Sequence, residues 1–133
     1  MSKNHTILIV EDERPLLRAI KKKFELHGFD VVTAISAKQA LSYLKDITEI
    51  EVIWLDHYLF GKGDGIDFMA SIRKKNSGWQ NIPVFVVSNT ASSDKISSYM
   101  KLGAKDYYVK ADHTLEEIVI EIKKFLKKRK INP

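Results

Sequence analysis

Ile7-Leu8-Ile9-Val10 and Val52-Ile53-Trp54-Leu55 are continuous apolar runs of strand length, and each is cut off by acid. Glu11-Asp12 follows the first and Asp56 follows the second. Runs that are apolar at every position suit strands covered on both faces, as in parallel sheets. As neighbours, the two strands would bring three carboxylates to one edge of the sheet. Like charges withdrawn from water repel and lose hydration, so such a cluster persists only where something cationic resolves it. That edge is the first place to look for chemistry.

The rest of the chain alternates in the same way. Strands are predicted at Thr6–Val10, Asp30–Ala34, Val52–Asp56, Pro83–Ser88 and Asp106–Val109. Helical patterns lie between them. Pro15 suits a first helical turn, Leu17, Ile20 and Phe24 follow at helical spacing, and Gly28 suits a C-terminal cap. Ser36-x-x-Gln39 and Thr114-x-x-Glu117 have the form of capping boxes. Phe68, Met69 and Ile72 mark a third helix. Ile96, Tyr99 and Met100 mark a fourth, closed by Gly103. Leu115, Ile118, Val119, Ile122, Phe125 and Leu126 form the stripe of a last helix. Five strands alternating with five helices predict an α/β fold, a doubly wound parallel sheet with helices on both faces. With no internal repeat or linker, the expectation is one domain over residues 1–133, its core about 5–128 and its tail fraying after Arg129.

Composition narrows the function classes. At 133 residues the chain is long enough for a real core. The absence of cysteine excludes disulfides and thiolate metal sites. No apolar run approaches the roughly 20 residues needed to span a bilayer. Met1 to Thr6 lack the apolar segment of a signal peptide, so a cytoplasmic address is expected and no membrane partner. Net charge is +5, concentrated at Lys21-Lys22-Lys23 and at Lys123, Lys124, Lys127, Lys128, Arg129 and Lys130. These lysines suit either an anionic partner or the solvated faces of two amphipathic helices. The single aromatic within the C-terminal cluster, Phe125, falls on the apolar stripe of the last helix rather than on the lysines' solvated face, so direct nucleic-acid binding is not expected.

In doubly wound sheets, ligands bind beyond the carboxyl ends of the strands, where strand order reverses. Four of the five predicted strands end there in polar groups: Glu11-Asp12, Asp56, Ser88 and Lys110. The matching pieces are Ile7-Leu-Ile-Val-Glu-Asp-Glu13, Trp54-Leu55-Asp56, Asp64-Gly65, Val86-Val87-Ser88 and Gly103-Ala-Lys-Asp-Tyr-Tyr-Val-Lys110. In this order and spacing the chain resembles, over essentially its whole length, the receiver domain of two-component response regulators. The resemblance implies a flavodoxin-like strand order of 2-1-3-4-5. It implies that Asp56 accepts a phosphoryl group from a histidine kinase or histidine phosphotransfer protein. Mg²⁺ would be held by Glu11, Asp12, Asp56 and the backbone carbonyl of Tyr58, with Asp12 a direct ligand and Glu11 acting through water. Lys110 would pair with Asp56 and then with the phosphoryl oxygens, and Ser88 would donate its hydroxyl to one of them. Ser88 and Tyr107 would form the switch, with Tyr107 moving inward. The face made by the fourth helix, the fifth strand and the last helix would then meet a downstream protein or a second copy of the chain. Such a domain is not an enzyme that turns over substrate, although it assists its own phosphorylation and dephosphorylation.

Four positions depart from the family pattern. The loop His57-Tyr-Leu-Phe-Gly-Lys-Gly-Asp-Gly65 is one residue longer than usual and lacks a proline near Phe60. Ser88 stands where threonine is commoner, and Asn89 where a small residue is usual. Ala111 replaces a cis proline, so the Lys110–Ala111 bond is expected to be either trans with a shifted loop or cis at about 3 kcal/mol. Tyr58 is bulky enough to shield a phosphoryl group from water, and His57 is expected to be a loop histidine. Three rival functions remain to be weighed. A flavin-binding protein would need a phosphate loop where this chain has Glu11-Asp12-Glu13, which repels phosphate. A phosphatase with an aspartyl nucleophile would need a second Asp at the position of Tyr58. A receiver-like interaction module not regulated by phosphorylation stays open.

Overall fold

The computed structural model describes residues 4–131. The elements run β1 (Thr6–Val10), α1 (Arg14–Leu26), β2 (Asp30–Ala34), α2 (Ala37–Asp46), β3 (Ile50–Leu55), α3 (Gly65–Ile72), β4 (Val84–Ser88), α4 (Ser93–Lys101), β5 (Asp106–Val109) and α5 (Leu115–Ile131). β1, β2 and β5 occupy the predicted residues. β3 starts earlier than predicted, at Ile50, and stops at Leu55, leaving Asp56 just beyond its end. β4 begins after Pro83, whose carbonyl still accepts the Ile53 N–H at 3.0 Å. The strands form one parallel sheet in the order β2-β1-β3-β4-β5.

Alternation along each strand divides the core between two faces. Ile7, Ile9, Val52, Trp54, Phe85 and Val87 pack with Leu17, Ile20 and Phe24 of α1 and with Ile118, Val119, Ile122 and Leu126 of α5. Leu8, Val10, Ile53, Leu55, Val84 and Val86 pack with Ala40 and Leu44 of α2, Phe68, Met69 and Ile72 of α3, and Tyr99 of α4. Met100, expected on the apolar stripe of α4, lies largely in solvent.

Local chemistry sets the helix ends. Pro15 lies in the first turn of α1, and Gly28 follows its C-cap His27 with φ +86°, a conformation that suits glycine. The Thr114 and Glu117 side chains exchange bonds with each other's backbone N–H at 3.1 and 3.0 Å, closing the predicted box. The Ser36 box closes with an offset. Ser36 Oγ accepts the Gln39 N–H at 3.1 Å, but Gln39 Oε1 takes the N–H of Ile35 instead. Asp64 and Asp67 form a further reciprocal box at the start of α3, which the Ser/Thr-x-x-Glu/Gln pattern does not reveal. Arg73, the C-cap of α3, donates to the carbonyls of Leu102, Gly103 and Trp79 and so fastens α3 to the turn after α4. α5 continues to Ile131, past the expected fraying point at Arg129. Residues 1–3 and 132–133, and with them the outer ends of the expected domain, lie outside the described residues.

Ile53 is fully buried on the strand that joins both halves of the sheet. Ile53→Ala is expected to cost about 2–5 kcal/mol, read as a lower urea midpoint at unchanged m-value.

Candidate functional site

Strand order reverses at β1, whose neighbours β2 and β3 lead in opposite directions. The crevice beyond the carboxyl ends of β1 and β3 is the site that this topology creates. The ladder reaches one residue past each strand. The Glu11 N–H donates to the Ala34 carbonyl at 2.9 Å and the Asp56 N–H to the Val10 carbonyl at 3.0 Å. Both acids are thereby fixed by backbone, and both are buried, whereas Asp12 is exposed. One ligand oxygen from each of Glu11, Asp12 and Asp56 lies within 4.8 Å of the others.

The cation comes from the far side of the sheet. Lys110 leaves the end of β5 and places Nζ 3.0 Å from Glu11 Oε1 and 3.7 Å from Asp56 Oδ2. Its shorter contact is therefore with Glu11, not with Asp56 as the sequence led us to expect. The Lys110–Ala111 peptide is trans, the first of the two expected alternatives, and Lys110–Asp112 form a single 3₁₀ turn. The Asp56 carboxylate also accepts the His57 N–H at 2.8 Å. Even so, burial first, and then the charge of Glu11, push its pKa up from the usual 3.8 to about 7.

Ser88 ends β4 and is fully buried, with its Oγ accepting the Thr90 N–H at 3.4 Å. Tyr107 sits on β5 beside Val86 and donates its hydroxyl to the Thr90 carbonyl at 2.8 Å. Asn89 is exposed at the rim. Tyr58, in the loop between β3 and α3, is 54% exposed. Its hydroxyl accepts from Lys95 Nζ at 2.9 Å, and the same ammonium lies 5.0 Å from the ring centre. The aromatic side chain thus leans on α4.

His57 lies in the loop between β3 and α3, as expected, but is buried at 4% exposure, with Nδ1 2.7 Å from the Tyr99 hydroxyl and Nε2 3.7 Å from Asp64 Oδ2, contacts that its place in a loop did not announce. Burial lowers its pKa and raises that of Tyr99, so ring and phenol are both neutral. Asp64 favours the proton on Nε2, leaving Nδ1 to accept from the phenol. Strand alternation was the usable signal, because Ile53, Leu55 and His57 fall on the face that receives Tyr99 of α4. Gly65 leaves the room for this contact. A Cβ there would collide with the Tyr99 hydroxyl and come within 2.8 Å of the Asp56 carbonyl.

The donor set suits a hard divalent cation. Three carboxylates supply oxygen only, the ligand type Mg²⁺ prefers, and one oxygen of each lies within 4.8 Å of the others. A cation there would also offset the charge of Glu11, which adds to burial in raising the pKa of Asp56.

Fold and edge together define a doubly wound α/β protein with a carboxylate pocket at its topological switch point. The family model described as "Response regulator receiver domain" matches residues 7–123, and the chain belongs to that family. It is 31% identical over 123 residues to the transcriptional regulatory protein PrrA of Mycobacterium leprae, covering 92% of this chain and 50% of that protein. It is 30% identical to the transcriptional regulatory protein CpxR of Escherichia coli, covering 92% and 49%. The chain thus spans about half the length of these curated relatives. The receiver domain of the Francisella response regulator 1452 superposes with a TM-score of 0.83 at 28% identity, covering 95% of this chain and 99% of that one. The phosphorylated cyanobacterial phytochrome response regulator RcpA gives 0.81 at 27%, covering 92% and 93%.

The raised pKa of Asp56 has a thermodynamic sign. The folded state holds the proton more tightly than the unfolded chain does. The stability this confers is complete below the ordinary value of 3.8 and is lost as pH rises to about 7. In chelator-treated protein, Asp56→Asn is expected to melt above the wild type at pH 8. The difference should shrink or reverse near pH 4, as measured by thermal denaturation across that range.

Proposed function

We propose that the chain receives a phosphoryl group on Asp56 and passes the change to a protein-binding surface. The observation that carries this reading is the convergence of Glu11, Asp12, Asp56 and Lys110 at the switch point. The donor is a phosphohistidine on a kinase or on a histidine phosphotransfer protein. An Asp56 carboxylate oxygen attacks phosphorus, the P–N bond breaks, and its electron pair leaves with the imidazole. Carboxylate is a weak nucleophile, so positioning and charge neutralisation do most of the work. Glu11, Asp12, Asp56 and the Tyr58 carbonyl would hold Mg²⁺, which supplies charge neutralisation at the phosphoryl oxygens. Lys110 contributes a point charge on a flexible stem and shifts from Glu11 toward the new oxygens. Ser88 donates its hydroxyl to one of them.

The modification replaces the single charge of the Asp56 carboxylate with the roughly two charges of an acyl phosphate in a buried site. Ser88 turns toward them, its loop follows, and the Thr90 carbonyl that Tyr107 holds moves with it. The displaced face comprises α4, β5 and α5. Its occupant is a downstream protein or a second copy of the chain. The whole chain acts as one receiver unit in this scheme, with residues of about 5–128 as its core.

Acetyl phosphate with Mg²⁺ is expected to add one phosphoryl mass to the intact protein and none to Asp56→Asn. An unmodified wild type would sink the reading and leave the unregulated interaction module in its place. Lys110→Ala is expected to slow the gain about tenfold or more, followed as mass against time.

A further inference from the structure

Tyr99 is fully buried, yet it carries a hydroxyl that apolar packing alone does not require. A buried phenol needs a partner, and here the partner is the residue that follows Asp56. Three elements meet at this one hydroxyl. His57 comes from the end of β3, Gly65 opens α3, and Tyr99 belongs to α4. Gly65 also donates its N–H to the His57 carbonyl at 2.8 Å, so the histidine is gripped at its backbone as well as at its ring. The His57 N–H in turn is held by Asp56 Oδ1. An unbroken series of short polar contacts therefore runs from the Asp56 carboxyl, through the His57 peptide and imidazole, to the body of α4. None of its hydrogen bonds involves Ser88 or the Tyr107–Thr90 pair, although the Tyr99 ring packs against that of Tyr107 with centroids 5.8 Å apart.

We propose that Tyr99 is a positioning residue that couples α4 to the carboxyl of Asp56 through His57 Nδ1, by hydrogen bonds that involve neither Ser88 nor Tyr107. The inference rests on Asp56 being the phosphoacceptor. Once one Asp56 oxygen is bonded to phosphorus, the charge and geometry that the His57 N–H faces change, and the N–H re-aims. The imidazole turns with its peptide, and a 2.7 Å bond in a packed interior passes a shift of a few tenths of an ångström to its partner. The device works by geometry, with no proton gained or lost.

The test uses the full chain, acetyl phosphate and Mg²⁺, with intact mass to score phosphorylation and amide hydrogen exchange over residues 93–101 to score α4. Tyr99→Phe is expected to accept the phosphoryl group, while the change in α4 exchange that accompanies it falls about twofold or more. Tyr107→Phe combined with Tyr99→Phe is expected to remove more of the response than either alone. His57→Asn, which keeps an acceptor near the Nδ1 position, is expected to preserve the response, and His57→Leu to lose it. This pair separates the hydrogen bond from packing, because both lack the ring, and it stands even where Tyr99→Phe folds poorly. A phosphorylated Tyr99→Phe with the wild-type α4 response would overturn the inference, as would equal responses from the two His57 variants. Absence of a phosphoryl gain in the wild type would instead overturn the phosphoacceptor reading beneath it.

Discussion

Two buried carboxylates that cannot both ionise comfortably govern the carboxyl edge of this sheet. Glu11 and Asp56 are delivered there by ladder bonds that reach one residue past β1 and β3, so neither can retreat. Lys110 answers from β5, and its ammonium sits closer to Glu11 than to Asp56. The acid left less well compensated is the one with the raised pKa. Such an arrangement leaves an unmet demand for positive charge beside Asp56, which a divalent cation can satisfy. Local stability is lower for it, as sites built for chemistry commonly are.

The rest of the fold serves that edge. Parallel strands all end on the same side, so β1, β3, β4 and β5 each offer a polar group to one crevice without long loops. The two packed faces then divide the labour. On one side, α1 and α5 are tied by Glu116, which meets Lys23 at 2.9 Å and His27 at 2.6 Å. On the other, α3 and α4 press directly on the loop that follows Asp56.

Much of this was legible in the residues. Unbroken Ile/Val runs gave the buried strands, and the acids that end them gave the pocket, because period and charge are local properties. Thr114 and Glu117 announced a cap for the same reason. What escaped was set by tertiary neighbours. Gln39 bonds Ile35 rather than its own N-cap, a choice made by side-chain reach. Asp64 and Asp67 cap each other with short acids outside the usual pattern. Lys110 prefers Glu11 because of where the 3₁₀ turn sets its stem. His57 read only as a loop neighbour of Asp56. Its burial depends on a tyrosine 42 residues away and on a glycine that leaves space for it.

Arg73 has a mechanical consequence. Its guanidinium is spent on three carbonyls, two of them in the turn that closes α4. The Gly103 and Ala104 N–H groups bond back into the same helix end. The opposite end, near Ser92 and Ser93, is exposed and held by a cap bond of 3.4 Å. A rod pinned at one end moves as a lever. For α4 any such motion would have its fulcrum at the Leu102–Gly103 turn and its widest reach at the residues nearest the loop that carries Ser88.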